Sequence, residues 1–165
     1  MNEQLRNQIE QLAEGLISSS LMVVTAESCT GGGLAELFTQ LSGSSEWFER
    51  GFVTYSNESK KELLNVQHET LSQYGAVSEH TAAEMVSGAV DNSHAQIGVS
   101  ITGIAGPDGG TEEKPVGTVC FGWCDPSGEI KTTCILFEGD RNAIRRQACQ
   151  MAIQGLIESI DKIVE

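Results

Sequence analysis

Basic charge is scarce in this chain. Ten Lys and Arg stand against 23 Asp and Glu, a formal net charge of -13. Non-specific nucleic-acid affinity comes mostly from cations set on phosphates, so nucleic acid is not an expected partner. Long apolar runs are missing as well. No segment approaches the roughly 20 apolar residues of a membrane span, and Met1-Asn2-Glu3-Gln4 is not a basic stretch leading into an apolar one. Neither a membrane partner nor a secretory leader is expected, and the chain is expected in the cytoplasm. Three prolines, with no repeat and no biased stretch, exclude a linker-like or low-complexity organisation. The phosphate-binding patterns G-x-x-x-x-G-K-[ST] and G-x-G-x-x-G are both absent.

C-x-x-C is absent too. The five cysteines, Cys29, Cys120, Cys124, Cys134 and Cys149, are odd in number and sit mostly in apolar runs, which leads us to expect reduced thiols in a core. None of His68, His80 and His94 lies near Cys120 and Cys124 in sequence, so no metal is expected.

What is present is an ordinary globular composition, 39% hydrophobic and 20% charged over 165 residues, the size of one domain spanning 1–165. Leu5, Ile9, Leu12, Ala13, Leu16 and Ile17 recur at helical spacing, which predicts a helix over 2–19. Residues 21–25 read as a strand, running through a turn at Gly31-Gly32-Gly33 into a helix to Gln40. A second strand is expected over 51–55, with Ser56 or Asn57 capping a helix to about Leu64. Ser78 caps a helix to about Val90, and 97–102 is a strand. Residues 103–117, rich in glycine, form a loop. Strands over 118–124 and 130–137 flank Asp125-Pro126-Ser127-Gly128, a turn between antiparallel strands. Asp140 caps a long last helix. Alternation of strands and helices with one closing hairpin predicts an α/β fold: a three-layer α/β/α sandwich on a mixed, mostly parallel sheet of about five strands. Ligand loops then belong beyond the carboxyl ends of the parallel strands, at 26–33, 55–60 and 102–110.

Four groups of residues carry candidate chemistry. In Ala26-Glu27-Ser28-Cys29-Thr30-Gly31-Gly32 a hydroxyl and a thiol sit where a strand turns into a helix, near unpaired amides that suit a phosphate or an oxyanion. Taken alone, the segment is better explained by Ser28 and Thr30 as plain helix caps. A serine nucleophile needs a base, and Lys60, one turn into the helix after Tyr55-Ser56-Asn57, is better aimed than Lys61. The competing pair is Cys29 with a histidine. Thr102-Gly103-Ile104-Ala105-Gly106-Pro107 allows a ligand to approach the backbone closely, without naming the ligand. Arg141 and Arg145 share a face at the amino end of the last helix, where cations oppose the helix dipole and so call for an anion. A ligand phosphate, or Glu138 and Asp140, would serve.

Taken in order, Ala26-Glu27-Ser28-Cys29-Thr30-Gly31-Gly32, Gly43-Ser44-Ser45, Tyr55-Ser56-Asn57 with Lys60, Gly75-Ala76-Val77-Ser78, Thr102-Gly103-Ile104-Ala105-Gly106-Pro107 with Gly109-Gly110, and Lys114-Pro115-Val116-Gly117 resemble the CinA C-terminal domain family, the nicotinamide mononucleotide amidohydrolases. The resemblance covers nearly the whole chain and implies the stand-alone enzyme form. It implies hydrolysis of nicotinamide mononucleotide to nicotinic acid mononucleotide and ammonia, a step of pyridine nucleotide salvage, with no metal or other cofactor. Ser28, Lys60 and Tyr55 match the family's catalytic serine, lysine and tyrosine. Substrate contacts are expected from Cys29, Thr30, Gly31, Gly32, Thr102, Gly103, Gly106, Arg141 and Arg145. The family also implies a homodimer, for which Trp47, Phe48 and Phe52 are candidate contacts. A non-catalytic nucleotide-binding module linked to competence or damage response is the rival reading.

Overall fold

The structure, a computed structural model, describes residues 1–164. Helix α1 (Glu3–Ser18) starts at Asn2, whose side chain accepts from the Leu5 amide, and it buries Leu5, Ile9, Leu12, Ala13 and Leu16 of the stripe read from the sequence, leaving Ile17 exposed at its end. Strand β1 (Val23–Glu27) is buried along its whole length, as a central strand covered on both faces must be. After it come α2 (Gly33–Thr39), a short 3₁₀ turn at Ser44–Glu46, β2 (Phe48–Val53) and α3 (Asn57–Leu64). Helices α4 (His68–Tyr74) and α5 (Glu79–Asp91) lead to β3 (Ile97–Gly103), then β4 (Thr118–Cys124), β5 (Ile130–Leu136) and α6 (Arg141–Val164).

The sheet order is β2-β1-β3-β4-β5. β1 runs parallel to both β2 and β3, whereas β4 is antiparallel to β3 and to β5. One face is covered by α1, α2 and α6, with Phe38 edge-on to Trp47 and Phe48 and with Trp123 donating to the Ala152 carbonyl of α6. The other carries α3, α4 and α5 over a smaller cluster that includes Val24, Ala26, Leu64 and Met85. This is the expected three-layer sandwich. Trp47 lies inside the core rather than on a contact surface, while Phe48 and Phe52 are half-buried.

The cysteine expectation needs one correction. Cys120 and Cys134 form a disulfide, because the hairpin register sets them directly opposite each other on β4 and β5. Cys29, Cys124 and Cys149 are free and buried, as expected.

Candidate active site

The carboxyl ends of β1, β2 and β3 lie side by side, and the segments that leave them meet around a pocket of about 260 Å³. Its wall includes Ser28 and Cys29 after β1, Tyr55, Asn57 and Lys60 after β2, and Thr102 and Gly103 at the end of β3.

Ser28 is held by its own strand end. Its amide donates to the Ile101 carbonyl of β3, and its carbonyl accepts from the Gly31 amide, which closes a tight turn. Gly32, with φ of +95° at the amino end of α2, takes the left-handed conformation that side chains resist. No side chain within that turn caps α2; Glu27 does so from the strand. Its fully buried carboxylate accepts the Leu34 amide at 2.8 Å through one oxygen and the Ala35 amide at 3.0 Å through the other. Both ends of the Ser28 turn are thereby tied to one residue. Glu27 went unassigned in the sequence, although an acidic residue closing a strand just ahead of a glycine-opened helix is a detectable cap signal.

Lys60 comes from α3, whose start is set by the Ser56 hydroxyl accepting the Ser59 amide. One turn in, its ammonium group is sealed from solvent, with the residue 1% exposed. The Lys60 Nζ lies 2.9 Å from Ser28 Oγ, 2.8 Å from the Thr54 carbonyl and 3.4 Å from the Tyr55 carbonyl. Burial lowers the lysine pKa to about 8, with the neighbouring Cys29 a smaller opposing influence. A neutral amine has two hydrogens and one lone pair. Two carbonyls take the hydrogens, and the lone pair is left for the Ser28 hydroxyl proton. The rival thiol is disfavoured by the same burial, which pushes Cys29 up to about 11, and among the described residues no histidine lines the pocket.

Arg141 enters from the start of α6, where Asp140 accepts the Ala143 amide. Its guanidinium donates to the Gly106 carbonyl at 2.7 Å and lies 3.4 Å from the Tyr55 hydroxyl, tying the 103–117 loop to the β2 end. Gly106 contributes that carbonyl without lining the pocket, and its φ of +77° beside Val116 leaves no room for a Cβ. Thr102 donates to the Ala76 carbonyl and so anchors the segment that presents Ala76 and Val77 to the pocket. Asn57, Ala76, Val77 and Ala105 are lining residues that stand in the motifs read from the sequence but were not assigned to the site there. Asn57 is the first residue of α3, one turn from Lys60, and that position was its signal.

Of the other expected contacts, Thr30, Gly31 and Gly32 belong to the turn without lining the pocket, and Arg145 does not line it either. Arg145 instead donates to the Thr30 carbonyl at 3.0 Å from the reverse side.

The family model of the CinA C-terminal domain matches residues 5–160. The nicotinamide-nucleotide amidohydrolase PncC of Escherichia coli K12 is 54% identical over 147 residues, 89% of each chain. The protein of that name from Enterobacter agglomerans is 48% identical over 92% of this chain and 93% of its own. A solved CinA superfamily protein from Klebsiella pneumoniae superposes with a TM-score of 0.92 at 36% identity, covering 98% of this chain and 99% of that one. With a match that runs through every element of the pocket, the chain belongs to the CinA C-terminal domain family.

Proposed function

We propose that this protein hydrolyses the carboxamide of nicotinamide mononucleotide to nicotinic acid mononucleotide and ammonia, a reaction of pyridine nucleotide salvage, with Ser28 and Lys60 as the catalytic pair. The observation that carries the mechanism is the buried 2.9 Å contact between Lys60 Nζ and Ser28 Oγ. The names of the two relatives supply the substrate class.

Neutral Lys60 takes the Ser28 proton as Oγ attacks the amide carbon. The resulting ammonium returns that proton to the departing nitrogen, which leaves as ammonia from an acyl-serine. Water then attacks the ester, giving its proton to Lys60, which passes it back to Ser28 Oγ as the acid is released. The Ser28 and Gly31 amides are already engaged, so the amide of Cys29, which lines the pocket, is the proposed donor to the oxyanion. Tyr55, beside Arg141, orients the substrate, and Arg141 with Thr102 and Gly103 receives the ribose phosphate. Arg145, Gly31 and Gly32 serve the substrate by shaping the turn.

Ammonia release from nicotinamide mononucleotide is the direct test. Ser28→Ala and Lys60→Ala should each abolish it, and full activity in either rejects the pair. Arg141→Ala should weaken the mononucleotide far more than the unphosphorylated riboside, and equal losses reject its phosphate role. Binding without ammonia release would favour a non-catalytic module. We further propose a cytoplasmic setting and a homodimer. No helix among the described residues is long and apolar enough to cross a membrane. The half-exposed Val53 on edge strand β2 offers contact area for a second copy, and a sedimentation mass of one chain rejects the dimer.

A further inference from the structure

On the reverse side of the nucleophile turn, where the first turns of α6 pass α2, lies a concavity of about 610 Å³. It shares no lining residue with the catalytic pocket. We propose that it is a second ligand site, taking a phosphate-bearing small molecule and acting on the nucleophile turn through Arg145.

Two of its walls hold polar atoms with no partner among the described residues. Thr30 is fully buried with its hydroxyl unengaged, and the buried Nε of Arg145 donates to nothing, although another nitrogen of the same guanidinium holds the Thr30 carbonyl. Arg146, next along α6, is exposed and enters neither of the two ion pairs among the described residues. In a chain of net charge -13, three of ten basic residues stand in the first two turns of one helix, at the end whose dipole repels them. Arg141 is accounted for by the catalytic pocket. Arg145 and Arg146 face this concavity, and planar guanidinium groups bind phosphate oxygens in pairs. Glu36 across the gap accepts from Gln40 and keeps its negative charge, so an anion docks on the α6 wall, away from it. Leu37 adds apolar surface for an organic body, and the volume is that of ordinary small-molecule sites, roughly 300 to 1,000 Å³. An occupant that engages Arg145 competes with the Thr30 carbonyl, two residues from Ser28.

Calorimetric titration with inorganic pyrophosphate at fixed ionic strength tests the site. Wild type should bind saturably, Arg146→Glu should bind about tenfold or more weakly, and Arg141→Ala should bind as wild type. Arg146 is exposed, so the variant should keep its circular dichroism and its ammonia release without pyrophosphate. Absence of saturable heat, binding that survives Arg146→Glu, or binding lost in Arg141→Ala overturns the site. The effect on catalysis rests on the amidohydrolase reading: saturating pyrophosphate should change ammonia release in wild type and not in Arg146→Glu. An unchanged rate, or the same change in both, overturns the coupling. A protein that releases no ammonia at all defeats the amidohydrolase reading, while the binding arm still decides the site.

Discussion

At the residue scale, Lys60 is the point where stability and function oppose each other. A buried lysine with a pKa near 8 is about one-tenth neutral at pH 7, against a negligible fraction for an exposed one. The rate constant for ammonia release should therefore rise with pH and level off above about 8. A flat profile from pH 6 to 9 would show that Lys60 is not the base. The same shift bears on folding. The unfolded chain holds its Lys60 proton up to about 10.5, the folded one only to about 8, so stability attributable to this residue rises between those pH values and is lowest below 8. Lys60→Met should be inactive, and its urea midpoint should gain most over wild type at pH 7, with the advantage shrinking toward pH 10.5. Cys29→Ala should keep the pH profile, since a thiol near 11 takes no part in it. Loss of the alkaline plateau in that variant would point back to the thiol. Ser28 and Lys60 were legible as a pair only through ordered motifs and helix phase. The carbonyls of Thr54 and Tyr55, which orient the amine, have no side-chain signature and could not be read. Arg145 shares Arg141's helix face, yet one turn moves it behind the Thr30 carbonyl, a separation that periodicity does not resolve.

Elements whose ends are fixed by caps were legible in the sequence. Ser56, Ser78 and Asp140 each accept the amide three residues on, as their residue types announced. Helix α4 went unread because Gln67 before it makes no side-chain cap and none of its residues is buried, which leaves no apolar stripe. The disulfide turned on a single step of register. The four-residue turn read from the sequence does close, with the Gly128 amide donating to the Asp125 carbonyl. Gly128, at φ of +88°, then stands as one extra residue before the ladder, so that Asp125 also pairs with Glu129 and Cys134, rather than Thr133, comes opposite Cys120. Caps also matter for catalysis, because α3 carries Lys60, the proposed base. Ser56→Ala should cost about 1 kcal/mol of stability and, by loosening the first turn of α3, lower the rate constant more than it raises KM. A pure stability loss, with both constants unchanged, would separate the cap from the positioning of Lys60.

For the whole molecule, net charge and local charge act on the substrate in opposite directions. Nicotinamide mononucleotide is net negative, because its phosphate outweighs the pyridinium, and a chain of -13 repels it at a distance. Arg141, the proposed phosphate contact, acts at short range inside a pocket where salt screens little. The screening length falls from about 30 Å at 0.01 M salt to about 8 Å at 0.15 M, so added salt removes the distant repulsion first and leaves the contact largely intact. The specificity constant kcat/KM for the mononucleotide should accordingly rise with salt over that range. The riboside lacks the phosphate and is a cation, so its constant should fall under the same titration. Opposite slopes would show that the overall field governs encounter while Arg141 governs retention. A falling slope for the mononucleotide would mean that the arginines at the head of α6 outweigh the acidic surface even at long range.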